Sequence, residues 1–308
     1  MLNRILIRIK VLQVLYAYYQ NGDGSLKVAE NEMLFSLQKS YDLYHYLLLL
    51  IVDVTNLHDR ILDNKKHKYT PTWEDLNPNM RFVENRFAKQ LSRNRELLKH
   101  VEEHKISWIN DADFLKDVLD TILASEEYGR YMNKTESSYE GDKALWRDIF
   151  KNHICESEMV SGYLEDKSIY WNDDVDIIES FVLKTLRQFT EEEAEFQPLL
   201  PMFTDEDVRL FPIQLLRKAI LSGEEYRERI SRHAQNWETE RLANMDVYIM
   251  QLAIAELLSF PSIPISVTLN EYIDMAKYYS TPKSGIFING ILDSIVNELK
   301  KEGRLLKD

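Results

Sequence analysis

Apolar residues recur along most of the chain with the three- and four-residue spacing of amphipathic helices. In the first two thirds this spacing predicts helices over residues 26–63 (one or two), 80–104, 111–132, 143–164 and 173–189. The pattern becomes clearer from Asp205, a predicted helix N-cap, and predicts helices over residues 206–223, 226–237, 242–260, 267–279 and 285–299. Pro261, Pro264 and Pro282 fall between these last segments, where helix breaks belong. The predicted fold class is all-α.

The first predicted helix covers residues 2–20, which contain neither Gly nor Pro. At about 100° per residue, Ile5, Ile9, Leu12 and Tyr16 form one apolar stripe along it. Further apolar residues lie between the members of this stripe, so we expect the helix to be covered on more than one side.

Composition supports the all-α prediction and narrows the class of protein. Nine Gly and eight Pro are few for 308 residues, whereas a strand-rich fold needs many turn residues. No apolar run approaches the roughly 20 residues that span a bilayer, so no membrane span is predicted. Cys155 is the single cysteine and no signal region is evident, which is typical of a cytoplasmic protein.

The acidic excess of the chain is confined to its middle. The chain has 51 Asp and Glu against 38 Lys and Arg. Residues 1–20 contain three basic and no acidic groups, and residues 208–308 contain 13 of each sign. An anionic partner can therefore dock on the two ends, because the local potential steers it rather than the net charge.

Sequence patterns of catalytic and metal sites are missing. The chain has no Walker loop, no GxGxxG and no HExxH. His100 and His104 have the i, i+4 spacing of metal ligands, but only Glu103 accompanies them, so we predict solvated histidines. Cys155 is predicted to be a buried structural thiol rather than a nucleophile. No enzyme activity, cofactor or metal site is predicted.

Two long stretches near the C-terminus resemble one known family. They are NWETERLANMDVYIMQLAIAELL and IPISVTLNEYIDMAKYYSTPKSGIFINGILDSI, and together they cover about residues 236–296. Upstream, LFPIQLLRKAILSGEEYRERISRHAQ looks like a preceding helix of the same family, and RIKVLQVLYAYYQ resembles its first, basic helix. The family is that of the NusB transcription antitermination factors.

The resemblance implies a domain interrupted by a long insertion. Residues 1–20 would be the first basic helix of a NusB-like helical bundle, and residues 206–308 its remainder. Residues 21–205 would be an acidic helical insertion. We expect this insertion to be packed rather than disordered, because it contains four of the five Trp residues and many Tyr and Leu at helical spacing.

An RNA-binding surface is the main functional implication of the resemblance. The family's first helix and the segment before FINGILD help to form it, and the matching residues here, with Lys10 added for its charge, are Arg4, Arg8, Lys10, Tyr16, Lys283, Ser284, Phe287 and Asn289. Arg guanidinium groups bind phosphates and Tyr rings stack on unpaired bases, so these residue types suit single-stranded RNA. Without the resemblance, we would interpret the arginines as a solvated stripe and Phe287 as a core residue. Asn289 would be a residue that the local backbone conformation requires.

The resemblance also implies a partner protein and a setting. We expect a boxA-like single-stranded RNA to be bound together with NusE, a small ribosomal-subunit protein, in the transcription elongation complex that reads ribosomal RNA operons. Glu240, Arg241 and Asp246 would contact NusE; the alternative is a surface capping cluster.

Two other functions remain open at this point. One is a helical interaction scaffold that does not bind RNA. The other is an accessory domain in RNA modification, since some RNA cytosine methyltransferases contain a NusB-like domain; the 308 residues contain none of the glycine-rich cofactor loop that such an enzyme needs.

Overall fold

The computed structural model describes residues 1–22, 24–234, 243–281 and 283–305. Within these ranges the chain forms helices and no strand, which confirms the predicted all-α class. The α-helices are α1 (Arg4–Gln20), α2 (Leu26–Lys66), α3 (Trp73–Leu76), α4 (Arg86–Ser92), α5 (Arg95–His104), α6 (Ala112–Ala124), α7 (Glu126–Met132), α8 (Tyr139–Ile149), α9 (Glu158–Lys167), α10 (Val175–Gln188), α11 (Glu206–Leu221), α12 (Gly223–Ala234), α13 (Asn244–Ser259), α14 (Ile265–Tyr279) and α15 (Ser284–Lys301).

Side-chain caps divide several of the predicted helical segments. The predicted segment 80–104 is divided between α4 and α5, because the Asn94 side chain accepts a hydrogen bond from the Leu97 amide and starts a new helix. Ser125 starts α7 in the same way inside the predicted segment 111–132. Asp205 caps α11 as predicted, accepting from the Val208 amide.

Residues 26–63 were predicted to form one helix or two, and α2 is a single helix of 41 residues. No Gly or Pro interrupts it. Despite this length, none of the helices within the described ranges is apolar enough over a sufficient length to cross a membrane.

The chain forms two compact units. The first consists of Met1 with Gln38–Met202, and the second of Leu2–Leu37 with Phe203–Asp308. The boundary near residue 37 falls within α2. We refer to them below as the middle unit and the terminal unit.

The terminal unit is built around α13. Helices α1, α11, α12, α14 and α15 all pack against it, and its residues from Tyr248 to Leu257 are all buried. A helix that is apolar on every side is stable only when neighbours cover it completely. The almost unbroken apolar sequence of α13 is thus explained by its central position.

The buried face of α1 differs from the predicted stripe. Ile5 and Tyr16, two members of that stripe, are 48% and 40% exposed. Arg8 and Lys10 are buried instead, together with Leu6 and other apolar residues. The helix is therefore covered on more than one side, as expected, but its most buried face is not the predicted stripe.

The middle unit has an aromatic core of its own. Trp108, Trp146 and Trp171 are buried, whereas Trp73 is 72% exposed. The Trp108 ring stacks on Tyr46 with 3.7 Å between centroids, and its Nε1 donates to the Tyr46 carbonyl at 3.0 Å. Most of the predicted insertion therefore forms packed helices, as the sequence indicates.

Candidate nucleic-acid interface

The basic first helix lies antiparallel to α13. Arg8, near the start of α1, pairs with Glu256 near the end of α13. Tyr19, near the end of α1, stacks on Tyr248 near the start of α13. This arrangement places the arginines and the tyrosines of α1 at opposite ends of the α1–α13 contact.

Arg8 belongs to a buried ion pair and is not a cation on the surface. Its Nε and Nη2 donate to Oε2 and Oε1 of Glu256, each at 2.8 Å. Thr268 Oγ1 donates to Oε1 at 2.9 Å and Tyr272 Oη to Oε2 at 3.0 Å. Burial alone would lower the pKa of Arg8, but the hydrogen bond and charge of Glu256 raise it above its usual value. The Arg8 guanidinium is thus fully engaged within the core.

Only one of the three basic residues of α1 reaches the surface. Lys10 is fully buried. Arg4 is half-buried, with its guanidinium carbon 5.7 Å from the centroid of the Phe211 ring. Because Arg8 and Lys10 are inside the unit, Arg4 is the only cation that α1 presents to a ligand.

A cluster of tyrosines lies at the other end of α1. Tyr16 is 40% exposed and packs edge-to-face against Tyr248, 6.1 Å between centroids. Tyr19 stacks on Tyr248 at 5.1 Å, and the Arg227 guanidinium carbon lies 4.8 Å from the Tyr19 centroid. We call Tyr16, Tyr19, Tyr248 and Arg227 the tyrosine cluster. Sequence reasoning identified only Tyr16, although the motif YAYYQ signals an aromatic group there.

Close packing fixes the position of Tyr19. Gln251 Nε2 donates to Tyr19 Oη at 2.8 Å and to the Ala219 carbonyl at 2.7 Å. A Cβ atom at Gly223 would lie 2.5 Å from Tyr19 Oη and 2.9 Å from Gln251 Nε2. Glycine at position 223 therefore allows the tyrosine cluster to close against α12.

The start of α15 combines buried and exposed candidate residues. Ser284 is buried, and its hydroxyl donates to Asp246 Oδ2 at 3.1 Å. Phe287 is 9% exposed and packs in the core. Lys283 and Asn289 are exposed. The two exposed residues are available to a ligand, while the other two hold α15 in place.

The structure brings some of the predicted residues near one another and separates others. Tyr16 contacts Tyr248, and Ser284 contacts Asp246, so the end of α1 and the start of α15 both contact the first turns of α13. Asp246 and Tyr248 are two positions apart, which places them on opposite sides of that helix. Arg4 lies about 18 Å from Tyr16 along α1, at 1.5 Å per residue.

The predicted partner-contact residues are only partly described. Glu240 and Arg241 lie outside the described residues. The Asp246 side chain is buried, and its Oδ2 accepts the Ser284 hydroxyl. Its carboxylate therefore joins α13 to α15 and does not project to the surface.

Cys155 was predicted to be a buried structural thiol, and in the structure it is half-buried. Burial and the nearby Glu179 raise the pKa of its thiol. Burial likewise raises the pKa of the Glu179 carboxyl to about 7. A thiol with a raised pKa remains protonated near neutral pH and is a poor nucleophile.

Comparison with known proteins places the chain in a family. The sequence model of the NusB family matches residues 173–297. The transcription antitermination protein NusB of Salinibacter ruber is 38% identical to the chain over 132 residues, which are 41% of this chain and 82% of that protein. The chain belongs to the NusB family. The relatives compared here are named transcription antitermination proteins.

Other NusB relatives show similar identity over shorter spans. The NusB proteins of Chloroherpeton thalassium and Koribacter versatilis are 42% identical over 97 and 98 residues. Each match covers 32% of this chain; it covers 46% of the Chloroherpeton thalassium protein and 67% of the Koribacter versatilis protein. No solved structure matches the chain. The family match excludes α1 and begins within the predicted insertion, so the boundaries at residues 20 and 205 stay a prediction.

Proposed function

We propose that this protein is a transcription antitermination factor that binds short single-stranded RNA of the boxA type. In this proposal the RNA is bound together with a small ribosomal-subunit protein of the NusE type, in the elongation complex that transcribes ribosomal RNA operons. Membership of the NusB family supports the general function. The observation that carries the RNA-binding proposal is the tyrosine cluster, in which the exposed Tyr16 ring packs against the buried Tyr248 ring.

The tyrosine cluster has the chemistry that unpaired bases require. Bases stack on aromatic rings regardless of sequence, and a cation beside the ring adds attraction for the phosphate backbone. Tyr16 offers an exposed ring whose position is fixed by its contact with Tyr248. Arg227 places a positive charge against the neighbouring ring of Tyr19. A rigid stacking surface loses little side-chain entropy when RNA binds.

The proposed RNA site is smaller than the set of residues taken from the family resemblance. It uses Tyr16, Lys283 and Asn289, with Arg4 at a distance along α1. Burial of Arg8 and Lys10 assigns these two residues to the core instead. Few cations are then left to contact phosphates, so stacking should contribute more to affinity than charge does.

Removing the exposed ring is the most direct test. We expect Tyr16→Ala to weaken binding of short single-stranded RNA roughly 5- to 150-fold, because stacking of one base on an aromatic ring contributes about 1–3 kcal/mol. Tyr16→Phe keeps the ring and should bind nearly as the parent does. Fluorescence anisotropy with RNA recovered from the chain in a native lysate measures this.

Tyr69→Ala is the matched control for the ring. Tyr69 is fully exposed and lies in the middle unit, so its loss should leave RNA affinity unchanged. Equal affinity of Tyr16→Ala and the parent chain would reject the tyrosine cluster as the RNA site. Absence of RNA binding by the parent chain would instead favour the scaffold alternative, which the burial of Arg8 and Lys10 also supports.

The charge contribution is tested separately at the start of α15. Lys283→Ala should flatten the log–log dependence of RNA affinity on salt by about 0.7, the value for one phosphate contact on a single strand. Lys300→Ala, at the other end of the same helix, is the control, because Lys300 is also exposed. Identical salt slopes for the two variants would exclude Lys283 from the RNA site.

Binding of a NusE-type protein is tested by calorimetry with and without RNA. If both ligands bind the same chain cooperatively, each must raise the affinity of the other by the same factor. We expect the partner to tighten RNA binding to the parent chain. The Tyr16→Ala variant should keep its affinity for the partner alone. No heat of binding to the parent chain would remove the partner from the proposal.

A further inference from the structure

We propose that Asp42, His100 and His104 form a binding site for one divalent transition-metal ion of the zinc type. Asp42 belongs to α2, while His100 and His104 lie one turn apart on α5. All three residues are in the middle unit, so this inference is independent of the proposed RNA site. The prediction that His100 is solvated was wrong, because its side chain is only about 10% exposed.

The spacing of the three donor groups suits a tetrahedral ion. His100 Nε2 lies 3.0 Å from Asp42 Oδ1, and His104 Nδ1 lies 3.3 Å from the same oxygen. One ligand atom from each residue can be chosen so that all three lie within 4.8 Å of one another. Two ligands bound about 2.0–2.1 Å from zinc at a tetrahedral angle are themselves roughly 3.3 Å apart. An ion can therefore enter with small side-chain movements.

The surroundings favour a cation. His104 is the last residue of α5, where the helix dipole places partial negative charge. Burial alone would raise the pKa of Asp42, but hydrogen bonds from His100 and Gln38 hold it below its usual value. The Asp42 carboxylate is thus ionised near neutral pH. Lys39 Nζ lies 3.3 Å from the other carboxylate oxygen, Asp42 Oδ2, and its side chain is 35% exposed.

The two histidines differ in exposure, which is about 10% for the His100 side chain and 31% for that of His104. The His100 ring stacks between His45 at 3.6 Å and His104 at 4.1 Å. The pKa of His45 is lowered to about 3, mainly by burial and to a smaller extent by the neighbouring His100. His45 therefore adds no positive charge near the site. His104 is 31% exposed, and its ring can turn until the nitrogen lone pair points at the ion. The exposed side of His104 also provides the entry path and leaves a fourth position for water.

Metal and protons compete for the same nitrogen atoms. Without metal, the His100 ring donates a hydrogen bond to Asp42, and a ligating nitrogen must carry no proton to bind an ion. Metal affinity should therefore fall as the pH decreases, because protons compete with the ion for these nitrogens. A cluster that serves only as a hydrogen-bonded carboxylate–imidazole group would bind no metal at any pH.

The test uses the tag-free full chain with Zn²⁺ in calorimetry and Co²⁺ in visible spectroscopy. We expect one equivalent of each ion to bind, with the intense visible bands of tetrahedral cobalt. His104→Ala should weaken binding at least about tenfold, since it removes one of three protein ligands. His104→Cys should keep the cobalt site and add a thiolate-to-cobalt band. Because His104 is partly exposed, both variants should retain the helical circular dichroism of the parent.

His153→Ala is the matched control. His153 Nε2 lies 3.0 Å from Glu127, so it forms a histidine–carboxylate pair without a second histidine. Its replacement should leave the stoichiometry and affinity for Zn²⁺ unchanged. The proposal is overturned if the parent chain gives no cobalt spectrum in excess Co²⁺. It is equally overturned if His104→Ala binds both ions as the parent does.

Discussion

Glu256→Ala is expected to destabilise the terminal unit by about 3–5 kcal/mol, the usual cost of removing one member of a buried ion pair. The substitution leaves the Arg8 guanidinium buried with its main acceptor missing. It also removes the acceptor of the Thr268 and Tyr272 hydroxyls. Amide hydrogen exchange along α13 measures this loss locally, which matters in a chain with two compact units.

Two further variants separate the buried pair from charge in general. Arg209→Ala breaks the exposed pair of Arg209 with Glu206, whose side chains are 59% and 60% exposed, and should change stability far less than Glu256→Ala does. The double variant Arg8→Met with Glu256→Leu should recover much of the loss, because it removes both charges from the core. If Glu256→Ala exchanged its amides no faster than Arg209→Ala, the buried network would not stabilise the unit.

The same network explains why the burial of Arg8 was not predicted from the sequence. Charge and helical spacing correctly place Arg8 on a helix whose charged residues are all basic. Its partner Glu256 lies 248 residues further along the chain. Local sequence does not reveal such a pairing, so it does not distinguish a buried arginine from a surface one. Tyr16 is the opposite case, because helical spacing placed it on the apolar stripe although it is 40% exposed.

The helical fold was more accessible than the site because helix formation depends on local spacing. Most predicted segments correspond to helices, and two of them are divided where one side chain starts a new helix, as Asn94 and Ser125 do. From the sequence alone, these two residues cannot be told from polar residues inside a helix, because only the hydrogen bond of the side chain to the backbone identifies a cap. The candidate metal site was missed for a different reason, since Asp42 precedes His100 by 58 residues.

Trp108→Ala is expected to destabilise the middle unit by about 3–5 kcal/mol, the typical cost of truncating a buried tryptophan. Trp108 is fully buried, stacks on Tyr46 and Phe114, and donates its indole N–H to the Tyr46 carbonyl. Urea unfolding followed by circular dichroism should show the transition of this unit at a lower urea concentration. Trp108→Phe keeps an aromatic ring but leaves that carbonyl without its donor, so an intermediate loss is expected.

Trp73→Ala provides the comparison, because Trp73 is 72% exposed and its removal should shift stability by no more than about 0.5 kcal/mol. The contrast between the two tryptophans is informative because the change in side chain is the same and only burial differs. A packed aromatic core requires the Trp108 variant to unfold at clearly lower urea than the Trp73 variant. Equal midpoints would mean that residues 38–202 are helical without a cooperative core, and the acidic middle segment would then act as a set of loosely associated helices.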